Sequence, residues 1–317
     1  MKILMGFRRP FVALEEALIE QGVTLIPWRP GARLPEAVEE VDGALLDFTE
    51  AARHLIACFR LSRRLRARGI PVAALNRDAP WNKGVRTRRI WLLRKLQLLD
   101  FYLTHSLQER VTMAKRAVYF PNAADVSRYN LKGCSLEELR DINRYRHTVS
   151  FIGNIDDRRY PEHRERMTRL HALSDMLATH GIELKLFHGM DLSVDEQVEI
   201  MRASIINLNL GAACDHGGAM SWGLPERCYG IPACGGFLLS DRRRHAEVDF
   251  TPGEDWLDFE SLEACVALIR ELLEAFPRTR SIAEAAHVRV MEQHTYAQRA
   301  QTLVGLLTWA RRGAQET

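Results

Sequence analysis

The chain has 317 residues, of which 46% are hydrophobic and 27% are charged. This composition supports a large buried core and excludes a disordered chain, and the length predicts two domains. The formal net charge of +3 is too small to indicate a nucleic-acid-binding protein. Because no apolar stretch is long enough to span a membrane and no signal-peptide pattern is present, we expect a cytoplasmic protein.

The 6 cysteines are spread along the chain without a CxxC pair and without a histidine at metal-ligand spacing. This pattern predicts reduced thiols, with neither a zinc site nor a disulfide framework.

The first half of the chain alternates short apolar runs with amphipathic segments. Helices are predicted from Phe11 and over Leu55 to Arg68, and the glycines Gly22 and Gly69 end them. The predicted strands are 2–5, 23–26, 42–46, 70–75, 101–104 and 117–120. Such alternation predicts a parallel sheet wrapped by helices.

A polar, charged stretch between Asp125 and His147 predicts a domain boundary at residue 146. A second alternation follows, and a helix over 295–312 closes the chain. The predicted strands there are 148–152, 183–187, 205–210 and 236–240, and the predicted helices are 162–180, 193–202, 261–276 and 280–294. Two doubly wound units predict a ligand site in a crevice at the carboxyl ends of the strands.

The segment 211–241 is the most glycine-rich part of the chain. Glycines after a strand let backbone N–H groups approach a phosphate, and a following helix N-terminus adds about half a positive charge. Arg227 in this segment could bind phosphate oxygens with both arms of its guanidinium. The alternatives are a surface loop without a ligand and a surface ion pair for Arg227. His216 in the same segment could contact a sugar or phosphate of such a ligand, or be solvated.

An ordered series of motifs runs through the second half: Tyr229-Gly-Ile-Pro-Ala-Cys-Gly-Gly-Phe-Leu-Leu-Ser-Asp241, Pro252-Gly-Glu-Asp-Trp256 and His294-Thr-Tyr296. Phe151-Ile-Gly-Asn154 opens this half, and Pro121-Asn-Ala-Ala-Asp125 ends the first. The series resembles the C-terminal half of the spore-maturation CgeB-like glycosyltransferases, within the wider set that resembles family 4 (group 1). The resemblance covers about residues 148–307.

This resemblance implies an α/β fold of the GT-B type, with two Rossmann-like doubly wound domains facing a cleft. Residues 1–146 would form the acceptor domain, 147–296 the donor-nucleotide domain, and 297–317 a helix returning to the N-terminal domain. It also implies catalysis without a metal and without a cofactor, since the nucleotide sugar is the substrate.

The resemblance and the glycine-rich segment together give a set of expected donor-binding residues. These are Asn154, Arg158, Arg159, His216, Gly217, Gly218, Glu226, Arg227, Gly235, Gly236 and Glu247. One position departs from the family, which usually carries a glutamate for the ribose hydroxyls where this chain has Gly230. Glu226, one helical turn earlier, could replace it, or the ribose contact is lost.

Glycosyl transfer builds negative charge on the departing diphosphate, which arginines and backbone N–H groups stabilise. An inverting enzyme also needs a base near the acceptor hydroxyl. Asp78 at the end of a predicted strand is the first candidate and Asp47 the second, and a helix-capping or turn role is the alternative for both. A retaining enzyme needs no such base.

Two basic clusters, 60–68 and 83–95, mark the first half. They are typical of a solvated helix face, and they also suit an anionic lipid surface, including the inner membrane, or an acidic acceptor. No nucleic-acid-binding motif accompanies them.

The sequence thus predicts a glycosyltransferase that moves a hexose or related sugar from a nucleotide-sugar donor to a glycan, lipid-linked or protein acceptor. The alternative is a GT-B protein that binds a nucleotide sugar or glycan without turnover. A dehydrogenase is disfavoured, because Gly6-Phe-Arg-Arg-Pro10 is not the dinucleotide-binding GxGxxG motif.

Overall fold

The computed structural model describes residues 1–77, 87–106, 114–156, 158, 163–211 and 223–315. Its contacts divide the chain into two compact units. The first unit combines Met1–Pro121 with Tyr296–Thr317, and the second is Asn122–Thr295. The first unit is therefore discontinuous in sequence.

The first unit contains a parallel sheet of 6 strands in its described part. The strands are β1 (Lys2–Gly6), β2 (Thr24–Trp28), β3 (Gly43–Asp47), β4 (Val72–Asn76), β5 (Phe101–Thr104) and β6 (Arg116–Tyr119). Their order is β2-β1-β3-β4-β5-β6, and every neighbouring pair is parallel. Each predicted strand is confirmed, with ends that move by one or two residues.

Helices cover this sheet. They are α1 (Val12–Glu20), α2 (Phe48–Arg53), α3 (Leu55–Arg66) and α4 (Thr87–Lys95). The sequence predicted α3 alone between β3 and β4, but a short helix precedes it because Asp47 caps α2 and His54 leaves helical geometry at φ −109° and ψ 48°. Leu61 and Leu65 of α3 pack into the core against the sheet.

The second unit contains a parallel sheet of 5 strands in its described part, in the order β11-β10-β9-β7-β8. The strands are β7 (His147–Gly153), β8 (Leu184–His188), β9 (Ser204–Asn209), β10 (Leu238–Asp241) and β11 (Leu257–Phe259). The sequence did not predict β11, which has 3 residues and only two apolar ones.

The helices of the second unit lie between and after these strands. They are α5 (Arg164–Ala178), α6 (Val194–Arg202), α7 (Arg227–Ala233), α8 (Ala246–Asp249), α9 (Leu262–Glu274) and α10 (Phe276–Gln293). Ser193 begins α6 with a capping box, in which its hydroxyl accepts the Glu196 N–H and the Glu196 carboxylate accepts the Ser193 N–H. Leu170, Leu173 and Leu177 of α5 pack into the core.

The polar stretch that suggested a boundary at residue 146 packs with the second unit. Asn122 donates from Nδ2 to the Leu224 carbonyl at 2.8 Å, and Arg202 donates from Nη1 to the Leu131 carbonyl at 2.5 Å. Leu139 in the same stretch is buried. The polar residues therefore reflect a surface layer of this unit, and the division of the chain falls after Pro121.

The last helix, α11 (Tyr296–Gln315), packs in the first unit. The rings of Tyr296 and Phe11 lie edge to face at 5.1 Å, and Arg299 donates from Nε to the Pro121 carbonyl at 3.0 Å. Leu303 and Leu307 are fully buried. In the described part of the chain, no helix is long and apolar enough to cross a membrane.

Candidate functional site

The carboxyl ends of the parallel strands of the second unit meet at one edge of its sheet, where doubly wound folds bind ligands. β7 ends at Gly153, β9 at Asn209 and β10 at Asp241. The glycine-rich segment begins at this edge, directly after β9. This edge is therefore where the structure allows the predicted donor site to form.

A buried ion pair holds the two residues that flank the segment 212–222. The carboxylate of Asp241 accepts hydrogen bonds from the backbone N–H of Gly211 at 2.9 Å and from Arg243 Nε at 3.0 Å. Arg243 also donates from Nη1 to the Gly223 carbonyl at 3.2 Å. The side chains of Asp241 and Arg243 are only 8% and 1% exposed. The pair therefore holds Gly211 and Gly223, the two residues that flank 212–222.

Asn209 joins β9 to β10 within this network. It is fully buried, and its Nδ2 donates to Ser240 Oγ at 2.8 Å and to Asp241 Oδ1 at 3.3 Å. Its Oδ1 accepts no hydrogen bond from the described residues. The network thus contains one buried acceptor oxygen near the carboxyl edge of the sheet that no described residue satisfies.

Two arginines meet at one aromatic ring near the end of β7. The guanidinium carbons of Arg227 and Arg166 lie 5.4 and 5.5 Å from the ring centroid of Phe151. Arg227 donates from Nη1 to the Ile152 carbonyl at 3.2 Å, and Arg166 donates from Nη2 to the Asn154 carbonyl. Contact with the ring face holds both cations at the strand end, where guanidinium groups can bind phosphate oxygens.

Close packing at this point requires a residue without a side chain. A Cβ built on Gly153 would lie 2.7 Å from the Phe151 ring and 3.1 Å from Arg227 Nη1. Gly153 therefore lets the arginine approach the end of β7. The N–H of Gly189, after β8, donates to the Gly153 carbonyl at 2.9 Å and continues the pairing of the two strands.

Asn154 follows β7 and forms a turn. Its Oδ1 accepts the backbone N–H of Asp156 at 3.0 Å, so its side chain caps this turn. Its carbonyl contact with Arg166 nevertheless places Asn154 beside the two arginines. Arg158 lies exposed in the turn that follows, and Arg159 lies outside the described residues.

Glu226 lies one helical turn before Gly230, since the Gly230 N–H donates to the Glu226 carbonyl at 2.9 Å. A Cβ built on Gly230 would lie 3.6 Å from the ring of Tyr129. Burial and, after it, the charge of Glu226 raise the pKa of Tyr129. The position that carries a glutamate in the resembling family thus faces an aromatic ring, and Glu226 is the nearby exposed carboxylate.

Two predicted donor glycines lie at the opposite edge of the sheet. Gly235 and Gly236 precede β10, so they lie at its amino end. Gly235 has φ +74°, and a Cβ there would lie 2.7 Å from Leu139 and 2.9 Å from Leu131. These glycines permit a tight turn under a packed segment and are not brought to Arg227. Glu247 is exposed on α8, which follows β10.

The two candidate bases belong to the first unit. Asp78 lies outside the described residues, as do His216, Gly217 and Gly218 of the donor set. Asp47 ends β3, and its Oδ1 accepts the backbone N–H of Glu50 at 2.8 Å. Its carboxylate therefore caps α2, which is the alternative that the sequence left open, and a catalytic role stays a prediction.

Sequence reasoning missed two of the residues that shape this edge. Arg166 falls on the same helical face as Leu170, Leu173 and Leu177, so an arginine within an apolar stripe was the available signal. Arg243 stands in a run of three arginines, 242–244, and the sequence alone gave no reason to select it. Among the described residues, no three His, Cys, Asp or Glu side chains cluster to hold a metal ion.

Known structures share this architecture. A glycosyltransferase from Rickettsia africae aligns over 98% of both chains at 8% identity, with a TM-score of 0.61. Sucrose-phosphate synthase from Thermosynechococcus elongatus aligns over 98% of both chains at 12% identity, with a TM-score of 0.63. Anabaena HepE in complex with UDP and glucose aligns over 97% of this chain and 99% of that chain at 10% identity, with a TM-score of 0.58.

These similarities confirm the predicted fold class, since the two parallel sheets, of 6 and 5 strands in the described part of the chain, and their helices match glycosyltransferase structures of the GT-B type. No curated protein sequence matches the chain significantly. A family model described as glycosyl transferase-like matches residues 135–305. Because this match covers more than half of the sequence, the chain belongs to the glycosyl transferase-like family.

Proposed function

We propose that this chain transfers a sugar from a nucleoside-diphosphate donor, bound by the second unit, to an acceptor bound by the first. One observation carries the proposal. Arg166 and Arg227 share the ring of Phe151 at the carboxyl edge of the sheet that the glycosyl transferase-like family model covers. A pair of fixed guanidinium groups at such an edge suits a diphosphate.

The chemistry follows from where charge develops. As the bond from the anomeric carbon to the donor oxygen breaks, negative charge builds on the departing diphosphate and the sugar gains oxocarbenium character. Arg227 would stabilise this charge without having to reorient, because the Phe151 ring and the Ile152 carbonyl already hold it. Arg166, which is buried at the same ring, would add its positive charge nearby. Glycines of the segment 212–222, with both ends fixed by Asp241 and Arg243, would add backbone N–H donors.

The remaining roles are proposed with the family resemblance as their support. The reaction needs no metal, the closer relatives are the CgeB-like enzymes, and the acceptor is a glycan, a lipid-linked sugar or a protein side chain. Asp78 is the candidate base for the acceptor hydroxyl. Glu226 is the candidate for the ribose contact, because its exposed carboxylate lies one turn from Gly230.

The proposal is tested by thermal unfolding with UDP, GDP, dTDP, CDP and ADP in turn. UDP is the first probe, because the similar Anabaena structure holds it. A nucleotide at about 100 times its dissociation constant adds about 2.7 kcal/mol to the free energy of unfolding. We expect one nucleotide to raise the melting temperature, and Arg227→Ala to abolish the shift.

The control is Arg270→Ala, which removes an exposed arginine of the same unit on α9. It should keep the full nucleotide shift. If no nucleotide stabilises the wild-type chain, or if Arg227→Ala responds as strongly as Arg270→Ala, the donor site at this edge is wrong.

A protein that binds the donor without turnover is the second candidate, and the environment of Gly230 favours it. This position faces Tyr129 and carries no carboxylate for a ribose. The two candidates differ in consumption of the nucleotide sugar that matches the stabilising nucleotide. Release of free nucleotide, lost in Asp78→Asn, supports the enzyme, whereas a melting shift without any nucleotide release supports the binding protein.

We propose a cytoplasmic location with peripheral contact to a membrane. The described cysteines are free thiols, as expected in a reducing compartment. Burial raises the pKa of Cys58, Cys234 and Cys265 to about 12, so these thiols stay protonated at neutral pH. Fractionation of cells that express the full chain, into cytosol and washed membranes, tests the location.

A further inference from the structure

The first unit contains a cationic groove of about 830 Å³. The loop after β2, the junction of α2 and α3, and α4 form its walls, so all three walls follow the carboxyl ends of strands. Its lining includes the arginines Arg33, Arg53, Arg60, Arg64 and Arg89. The acidic residue among those that line it is Glu36. The groove is therefore built to attract an anion.

Two of these arginines are available for a ligand. Arg53 pairs with Glu50 at 2.9 Å, Arg64 pairs with Glu39, and Arg89 donates to the carbonyl of Arg53 at 2.5 Å. Arg33 and Arg60, by contrast, are exposed and form no ion pair with any residue that the structure describes. The residues that the structure describes therefore leave their charge without a counter-charge.

Large exposed apolar side chains lie in the groove and elsewhere on the helices that form it, or just beyond them. Ile56 and Leu92, which line it, are 71% and 37% exposed. Phe59 on α3, Trp91 on α4 and Leu96 just beyond α4 are 42%, 54% and 46% exposed. Exposed aromatic and branched side chains on neighbouring helices are a feature of surfaces that enter an apolar phase.

All charged residues of α3 and α4, the helices that carry most of these side chains, are basic. Each of α3 and α4 contains four lysines or arginines and no aspartate or glutamate. Basic and apolar side chains without acidic residues suit the interface of an anionic bilayer. A nucleic acid would match the charge but would leave the apolar side chains in water.

We propose that this groove and its apolar rim dock the chain on an anionic phospholipid bilayer, with Arg33 and Arg60 on headgroup phosphates. Ile56, Phe59, Trp91, Leu92 and Leu96 then enter the boundary between headgroups and acyl chains. Peripheral contact with a membrane was proposed above, and the groove adds the surface that makes this contact and the class of lipid that it binds. It does not require glycosyl transfer, so either proposal can fail alone.

The test is flotation of the full chain with vesicles of phosphatidylcholine alone and of phosphatidylcholine mixed with phosphatidylglycerol. We expect binding to the mixed vesicles and little to the neutral ones, with a decrease at high salt because ions screen exposed charges. Loss of one basic contact at an anionic surface lowers partitioning about fivefold. The double variant Arg33→Glu/Arg60→Glu should therefore lose at least about 25-fold.

Matched variants distinguish binding through the groove from effects of net charge and of exposed apolar surface in general. Arg270→Glu/Arg312→Glu changes net charge by the same amount at exposed arginines outside the groove, and should lose much less binding. Ile56→Ser/Leu92→Ser should weaken flotation, whereas Ile19→Ser/Val288→Ser, at positions that are 58% and 48% exposed, should not.

Several results would overturn the inference. These are no flotation with phosphatidylglycerol, equal loss in the two arginine double variants, or stabilisation of the chain by inorganic phosphate without vesicle binding. The last result would assign the groove to a soluble phosphate. The melting transition of every variant shows whether the chain is folded, and its shift with nucleotide reports separately on the donor proposal.

Discussion

At the scale of single residues, the most consequential contact is the ion pair of Asp241 with Arg243. The Asp241 carboxylate accepts from the backbone N–H of Gly211, and Arg243 donates to the carbonyl of Gly223, so the pair holds both residues that flank 212–222. Both charges are nearly excluded from solvent. Removal of the carboxylate leaves a buried cation without its counter-charge, which is far more costly than loss of an exposed ion pair.

We therefore expect Asp241→Ala to lower the free energy of unfolding by about 3–5 kcal/mol. Urea unfolding followed by circular dichroism measures it. The control is Asp175→Ala on α5, where the carboxylate is exposed and the change should stay within about 0.5 kcal/mol. Equal midpoints for the two variants would show that the ion pair does not hold this edge.

At the scale of elements, the stretch 131–145 is held against the turn between α7 and β10. Arg280 of α10, which is buried, donates from Nη1 to the Gly235 carbonyl at 3.0 Å. Leu131 and Leu139 contact the space where a Gly235 side chain would be. The turn thus depends both on a positive φ and on the absence of a Cβ.

Gly235→Ala should lower the free energy of unfolding by about 2–4 kcal/mol, because it adds steric overlap to the cost of a left-handed backbone. Gly253→Ala is the matched control, since Gly253 has φ +84° and no atom within 4 Å of a built Cβ. It should cost only about 1–2 kcal/mol. Equal costs in chemical denaturation would mean that the leucines move aside freely.

The same stretch should respond to acid through Glu138. The Ser135 N–H, then the Arg144 guanidinium and the Ser135 hydroxyl, lower the pKa of Glu138 from 4.5 to about 2. Because the folded pKa lies below the unfolded value, this carboxylate stabilises the fold above about pH 4.5 and loses that effect as the pH falls towards about 2. The melting temperatures of wild type and Glu138→Gln should therefore differ near neutral pH and converge near pH 2.

Glu274→Gln is the control for that titration. Glu274 is exposed at the end of α9. Its substitution should leave the pH profile of the melting temperature parallel to that of the wild type. A constant gap between wild type and Glu138→Gln over the whole acid range would refute the role of Glu138.

Strands were the part of the fold most accessible from sequence. Runs such as 101–104 are apolar because both faces of a parallel sheet are covered, and their ends were found to within two residues. The sequence did not predict the short β11 or the break between α2 and α3 at His54, because neither produces a periodic pattern of apolar residues. At the site, Arg227 was predicted from its motif. Arg166 and Arg243 could not be selected without knowing which strand ends lie side by side. The spacing of residues along the sequence does not give that information.

The density of glycines indicated which part of the chain lies near the carboxyl edge of the second sheet. It did not show that Gly235 and Gly236 lie at the opposite edge. Gly211 and Gly235 belong to one glycine-rich segment, but α7 separates them and carries the chain from the carboxyl ends of the strands to the amino end of β10. The segment therefore spans both edges of the sheet. A sequence pattern cannot divide such a segment until the helix inside it is located.

At the scale of the whole molecule, the first unit depends on the end of the described chain. α11 places Leu303 and Leu307 in its interior, and a Cβ on Gly43 would lie 2.9 Å from a methyl carbon of Leu307. Leu307→Ala should therefore lower the free energy of unfolding by about 2–5 kcal/mol. Hydrogen exchange should show weaker protection in β1 and β3, whereas Gln301→Ala, an exposed position on the same helix, should match the wild type. Unchanged protection in Leu307→Ala would mean that α11 is dispensable to this sheet.

The discontinuity of the first unit also sets an order of events on the ribosome. Residues 1–121 emerge first, but the helix that completes their packing follows only after all of Asn122–Thr295 has been made. At about 5–20 residues per second, the nascent first unit waits on the order of ten seconds or more for its last helix. The second unit, though encoded later, is continuous and can close during that interval. A chain that stalls or is cleaved before residue 296 would thus present one finished unit beside one whose apolar surface still needs a chaperone.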